Sequence, residues 1–176
     1  MSNRIFTTLL FLCFTVSLFS QEADKFGYLV RVGNRAPDFT TKHTDGKSFR
    51  LDDQKGKIVM LQFTASWCSV CRKEMPFIEK DIWNELSKDK FVLIGIDRDE
   101  PVDVVNKFAE QMKISYPLVL DPGADIFGMY ADKSAGVTRN VIIDENGKII
   151  YLTRLFEMDE FNEMKKLIFA NVKRLQ

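Results

Sequence analysis

The sequence predicts a single α/β domain, and three observations carry that expectation. Two nearly continuous apolar runs, residues 58–63 and 91–96, have the length and composition of strands buried on both faces. Each is followed by a segment whose apolar residues recur every three or four positions, as they do along one face of a helix. Near the C-terminus the pair Asn146-Gly147 separates two further apolar runs, which is a hairpin signal. At 176 residues, 45% hydrophobic and 28% charged, the chain can bury one sizeable core. Its 25 Lys and Arg balance 25 Asp and Glu, so no overall basic field exists to hold nucleic acid, and none is expected as a partner. Three cysteines and one histidine, His43, are too few for a disulfide-stapled scaffold or a four-ligand zinc site.

Taken from the N-terminus, residues 1–20 differ from the rest of the chain. Arg4 supplies a positive start, and no further charge occurs until Glu22. With small residues at Ser20 and Ala23, this pattern predicts a secretory signal peptide over 1–20 and one domain over 21–176. As a helix the apolar run would reach about 22 Å against roughly 30 Å of hydrocarbon, so it reads as cleaved rather than spanning. Cys13 would leave with it, and its bulky neighbours Leu10, Phe11 and Leu12 argue against lipidation there. Cys68 and Cys71 then remain in a chain sent to an oxidising compartment.

Turn signals at Asp45-Gly46-Lys47 and Gly56-Lys57 divide residues 28–56 into short runs that suggest a leading hairpin. Pro37 and Phe39 are read as residues that fix its first strand, and His43 as a surface residue. The strand at 58–63 delivers the chain to Trp67-Cys68-Ser69-Val70-Cys71. Met75, Ile78, Ile82 and Leu86 then stripe a helix over about 69–87, kinked by Pro76. The second strand, 91–96, ends before the charged loop Asp97-Arg98-Asp99, which is read as solvated. Val104, Val105, Phe108 and Met112 stripe a second helix, with Pro101 in its first turn. A short strand closed by Asp121-Pro122-Gly123, a short helix over 124–131 and the hairpin around Asn146-Gly147 complete the middle of the chain. The closing helix turns Phe161, Met164, Ile168 and Val172 to one side, with acids early and Lys173 and Arg174 late, in the order its dipole favours.

The two cysteines carry the chemistry. As a staple, a four-residue loop would stabilise the fold by only about 1.9 kcal/mol, against about 3 for fifteen residues. On the turn from a buried strand into a helix the same spacing suits reaction. Cys68 meets unpaired helix N–H groups that favour its thiolate, and Cys71 is close enough to attack a mixed disulfide formed on Cys68.

At this point the chain resembles the thioredoxin superfamily, and within it the secreted TlpA/ResA-like thiol-disulfide oxidoreductases, related to AhpC/TSA proteins. The resemblance covers about residues 30–174. It rests on Ala36-Pro37-Asp38-Phe39, Gly56-Lys57, Phe63-Thr64-Ala65-Ser66-Trp67-Cys68-Ser69-Val70-Cys71-Arg72-Lys73-Glu74-Met75-Pro76, Tyr116-Pro117 and Ile142-Ile143-Asp144-Glu145-Asn146-Gly147. It implies a thioredoxin-like fold: a central mixed sheet flanked by helices, with an N-terminal β-hairpin extension and a short central insert. It also implies that the protein acts as a reductant of disulfides in secreted or periplasmic proteins, including apocytochrome c, in the periplasm or otherwise outside the cytoplasm, with electrons from a membrane-bound donor and with no cofactor or metal.

Two departures from the family pattern stand out. Where related folds carry a buried Asp six residues before the first cysteine, this chain has Gln62, so Glu74 becomes the expected proton partner of Cys71. Where the family has a cis-proline, it has Thr138, and the Val137–Thr138 bond is expected to be trans because a non-proline cis bond costs about 2.5 to 4 kcal/mol. The predicted site is therefore Cys68, Cys71 and Glu74 for catalysis, with Trp67 and Thr138 for substrate docking. Two other readings use the same cysteines. A peroxiredoxin would need Pro and Thr seven and three residues before its nucleophile, where Leu61 and Ala65 stand. A metal-binding or iron–sulfur module, bridged between two chains, is the non-enzymatic alternative.

Overall fold

The computed structural model describes residues 22–176. The predicted signal peptide and Cys13 lie outside the described residues. A two-stranded hairpin, β1 (Thr40–Lys42) and β2 (Ser48–Arg50), precedes the main sheet. That sheet has five strands in the order β5-β4-β3-β6-β7: β3 (Ile58–Thr64), β4 (Phe91–Arg98), β5 (Leu118–Asp121), β6 (Arg139–Ile143) and β7 (Ile149–Arg154). Strands β3, β4 and β5 are parallel, β6 runs antiparallel to β3, and β7 runs antiparallel to β6, so the sheet is mixed as expected. Helices α1 (Ser69–Ile78), α2 (Val102–Met112), α3 (Asp125–Tyr130) and α4 (Met158–Arg174) cover it.

Strand β3 lies at the centre, and all seven of its residues are buried. Alternation along a strand sends successive side chains to opposite faces. Ile58 and Met60 therefore pack with Met75 and Ile78 of α1 and Ile82 beyond it, with Val105 and Phe108 of α2, and with Phe161, Met164 and Ile168 of α4. Val59, Leu61 and Phe63 pack on the other face with Phe127 and Tyr130 of α3 and with Phe39 and Phe49 of the hairpin region. Phe39 contacts both Phe49 and Tyr130, and the Tyr130 hydroxyl donates to the Pro37 carbonyl at 2.7 Å, so the segment containing Pro37 and Phe39 is anchored as predicted.

Three features differ from the sequence expectation. The first helix closes with a wider π turn over Glu79–Trp83 and stops there instead of at about 87. Pro76 lies inside α1 with no N–H to give, and beyond it the Asn84 N–H reaches back five residues to the Glu79 carbonyl, the spacing of a π turn. The Lys88 ammonium then donates to the carbonyls of Trp83 and Leu86, which ends the helix. Strand β4 runs on to Arg98, because Asp97 pairs in register with Thr64 on one side and Leu120 on the other. Asp97 is fully buried, not solvated. His43 is not a free surface residue either: its backbone bridges Val119, and its half-buried ring lies edge-on to Phe49.

Gly95 sits in β4 as the register partner of Gln62 on β3 and Leu118 on β5. A methyl group there would run into the Leu118 side chain and stand 3.4 Å from the Tyr116 ring. Gly95→Ala should therefore destabilise the protein by about 1–3 kcal/mol, the range for overpacking a core. Denaturant unfolding of both proteins measures the difference.

Candidate active site

The site is built where β3 ends. Thr64 is the last strand residue, and the chain turns through Ala65, Ser66 and Trp67 before α1 begins at Ser69. Cys68 is the N-cap of α1, in an extended conformation at φ −81°, and its sulfur accepts the Cys71 backbone N–H at 3.1 Å. That is one of the N–H groups a helix leaves unpaired at its start. Cys68 and Cys71 are joined in a disulfide with their Cα atoms 5.3 Å apart. Cys68 is 7% exposed and Cys71 is fully buried, so a partner arriving from solvent reaches Cys68.

Thr138 is the residue just before β6, the strand beside β3. Its hydroxyl oxygen lies 3.1 Å from the Cys68 sulfur and 3.3 Å from the Cys71 sulfur. The Val137–Thr138 bond is trans, with no cis bond among the described residues. The Thr138 carbonyl accepts the N–H of Leu155, which links the end of β7 to the same spot. Trp67, next to Cys68, is 64% exposed, and Leu155 is a second exposed apolar side chain.

Glu74 lies one turn beyond Cys71 on α1 and is 2% exposed. Its carboxyl does not hydrogen-bond either sulfur. One oxygen accepts from the Asn140 amide at 2.6 Å, and the other faces the Gln62 amide at 3.5 Å. Gln62 and Asn140 are register partners on β3 and β6, so two adjacent strands present a pair of amides to the helix above. The network extends outward on both sides. The Tyr116 hydroxyl donates to the Gln62 carbonyl oxygen at 2.7 Å, and the Asn140 amide also donates to the Thr153 hydroxyl at 2.9 Å. Burial pushes Glu74 up to about 7, against the opposing pull of the hydrogen bonds from Asn140 and Gln62.

The structure thus brings Cys68, Cys71 and Thr138 into contact, sets Trp67 in solvent beside them, and holds Glu74 behind them in an amide cradle. In sequence Gln62 reads only as a missing acid, whereas it is one wall of that cradle. Asn140, Thr153 and Tyr116 are members of the network that sequence reasoning misses. Asn140 and Thr153 carry a weak signal, being polar residues within strand-like apolar runs. Among the described residues no three His, Cys, Asp or Glu side chains converge on one point.

Comparison with known proteins agrees with this geometry. The Redoxin family model matches residues 31–168. The thiol-disulfide oxidoreductase ResA of Bacillus cereus is 33% identical over 122 residues, spanning 69% of this chain and 68% of that protein. A solution structure from Bacteroides thetaiotaomicron, of a protein proposed to be a disulfide isomerase, superposes with a TM-score of 0.82 at 58% identity, over 84% of this chain and 94% of that one. A Chlorobium tepidum protein, proposed to be the thiol:disulfide interchange protein DsbE, superposes with a TM-score of 0.70 at 25% identity, over 81% and 99%. A family match over most of the chain, around a Cys68–Cys71 disulfide at the end of the central strand of a thioredoxin-like fold, means that this protein belongs to the Redoxin family and is a thiol-disulfide oxidoreductase.

Proposed function

We propose that the protein works outside the cytoplasm as a reductant of disulfides in other proteins, with Cys68 as nucleophile and Cys71 as resolving thiol. The observation that carries this reading is the asymmetry of the pair: Cys68 caps the helix and touches solvent, while Cys71 is sealed behind it. In the reduced protein the Cys68 thiolate attacks one sulfur of a substrate disulfide. A mixed disulfide forms, and the other substrate sulfur departs as a thiolate that takes up a proton. Cys71 then loses its proton and attacks the Cys68 sulfur, closing the Cys68–Cys71 bond and releasing the second substrate thiol. The Cys71 N–H and the Thr138 hydroxyl, both within hydrogen-bond distance of the Cys68 sulfur, would stabilise its charge whenever it is the attacking or the leaving group.

Glu74 is proposed as the acceptor of the Cys71 proton. A buried carboxyl near 7 is half-ionised at neutral pH, where it can both take and return a proton. Reaching Cys71 requires the side chain to leave Asn140, a rotation within one helical turn. Trp67, exposed beside Cys68, would receive the apolar residues around a substrate disulfide, together with Leu155, whose backbone is tied to Thr138. A membrane-bound donor would restore the dithiol after each turnover. The leader pattern at 1–20 and a cysteine pair kept for exchange support the extracytoplasmic setting and removal of the leader.

The direct test is Cys71→Ser, which should accumulate a mixed disulfide between Cys68 and its substrate in host cells, recoverable by non-reducing electrophoresis. Cys68→Ser should abolish reduction of disulfides altogether, and residual turnover in that variant would remove Cys68 from the role. Thr138→Val deletes the hydroxyl with little change in shape. It should raise the Cys68 pKa by about one unit, the scale of a lost hydrogen bond to a charged group, measured by alkylation rate against pH.

Glu74→Gln has two expected effects. It should slow resolution of the mixed disulfide and lower the thiol pKa values, because a nearby negative charge is gone. It should also change stability. Glu74 is raised in the folded protein, so its contribution is fully present below its ordinary value of 4.5 and is lost as pH rises through about 7. A shift of that size corresponds to at most about 3 kcal/mol. Urea unfolding of the oxidised protein at acid and alkaline pH should show a smaller loss in the variant than in wild type.

A further inference from the structure

Asp97 is a buried acid that the exchange chemistry does not use. It stands one residue before the end of β4, paired in register with Thr64, from which the chain leaves for Ser66, Trp67 and Cys68. The side chain is fully buried, and neither carboxyl oxygen has a hydrogen-bond partner. Beside it is Glu100, in the turn between β4 and α2. Both Glu100 oxygens are committed to the loop above: one accepts the Ser66 backbone N–H and the other the Ser66 hydroxyl, each at 2.6 Å.

Two adjacent carboxyls do not both ionise at low cost in a buried setting. Glu100 acts only as an acceptor toward Ser66, which is the behaviour of the ionised member. Asp97 has no donor to compensate a charge, which is the condition of the protonated one. The surrounding elements supply few charges. From α1, Arg72 donates to the Ser66 carbonyl at 2.6 Å and lies over the Phe108 ring. Helix α2 turns Val105 and Phe108 inward and keeps Asp103 and Lys107 on its outer side. Strands β3 and β5 pair Thr64 and Leu120 with Asp97, and neither is charged. Cys68 and Cys71 face the loop from the start of α1.

We propose that Asp97 is a protonated positioning residue whose proton is held against Glu100, and that this acid pair clamps Ser66 and so sets the Trp67–Cys68 turn from which exchange occurs. Burial, and then the charge on Glu100, push Asp97 up to about 8. When its proton leaves, two negative charges face each other under the loop. Glu100 is repelled, its hold on Ser66 weakens, and the added charge disfavours the Cys68 thiolate. Disulfide exchange thereby gains an alkaline limb separate from the titrations of the cysteines and Glu74. Only the kinetic arm of the test rests on the reading of the protein as a disulfide reductant.

The experiment follows carboxyl carbons and backbone amides by NMR in the oxidised protein, where the cysteines do not titrate. In wild type, the Asp97 carboxyl should titrate near 8, and the Ser66 amide proton should move with the same midpoint. In Asp97→Asn the Ser66 amide should hold its position across that range. In Glu100→Gln, which keeps Asp97 but removes the neighbouring charge, the Asp97 midpoint should fall by about one unit or more. For reduced protein acting on a disulfide-bonded peptide, the wild-type rate should drop about threefold relative to Asp97→Asn between about pH 7.5 and pH 9.5. An Asp97 carboxyl titrating in the ordinary range, or a Ser66 amide indifferent to it, overturns the proposal. So does a midpoint displaced by added calcium or sodium, which would make a cation rather than a proton the neutralising partner. If no protein reduces the peptide while Ser66 still follows Asp97, the clamp stands and the exchange reading fails.

Discussion

Burial of β3 on both faces is the constraint on which the site depends. A strand with neighbours on either side, three helices over one face and an aromatic layer over the other has no freedom in register or height. Its last residue therefore delivers the chain to a defined point, and the helix that begins a few residues on must start there. Thr138 is placed by the adjacent strand β6 in the same way. The two sulfurs and the threonine hydroxyl meet because two neighbouring strand ends meet, and backbone hydrogen bonding holds them at 3.1 and 3.3 Å.

The same strands carry a polar seam through an apolar interior. Gln62 and Asn140 are buried amides that would be costly without partners; Glu74 and Tyr116 pair Gln62, and Glu74 and Thr153 accept from the Asn140 amide nitrogen, while the Asn140 oxygen is left without a partner. The seam works against stability in one respect, because a carboxyl held near neutral value must give up its proton or its favoured environment as pH rises. A cost of this kind, tolerated in a core that is otherwise apolar, is characteristic of groups kept for proton transfer. Asp97 is a second buried acid, on β4 of the same sheet, and Glu100 near it holds the Ser66 backbone and hydroxyl in the turn that leads to Cys68.

Threonine at position 138 changes what the site offers to sulfur. A proline ring presents apolar carbon and no donor, whereas a threonine hydroxyl can donate to whichever sulfur carries charge. With a trans bond before it, the Thr138 carbonyl is turned to Leu155, and the backbone at Leu155 adopts φ 66°, a left-handed conformation that a bulky side chain seldom takes. Leu155 is exposed in that conformation, and Trp67 is the exposed apolar side chain next to Cys68.

Much of this is legible in the residues. Periodicity locates the buried strands and the helices, since alternation and the 3.6-residue repeat are local properties of the chain. The Trp67-Cys68-Ser69-Val70-Cys71 run at a strand-to-helix turn points to thiol chemistry because spacing alone brings the sulfurs within bonding reach. Glu74 can be singled out by its position one turn after Cys71. Partnerships across the sheet are another matter. Asn140 and Gln62 lie far apart in the chain, and only the β3–β6 register makes them a cradle. Asp97 reads as the start of a charged loop, because charge ordinarily means solvent. Pairing on both sides and the cover of α1 and α2 bury it instead, and burial is decided by tertiary packing rather than by any neighbour in sequence.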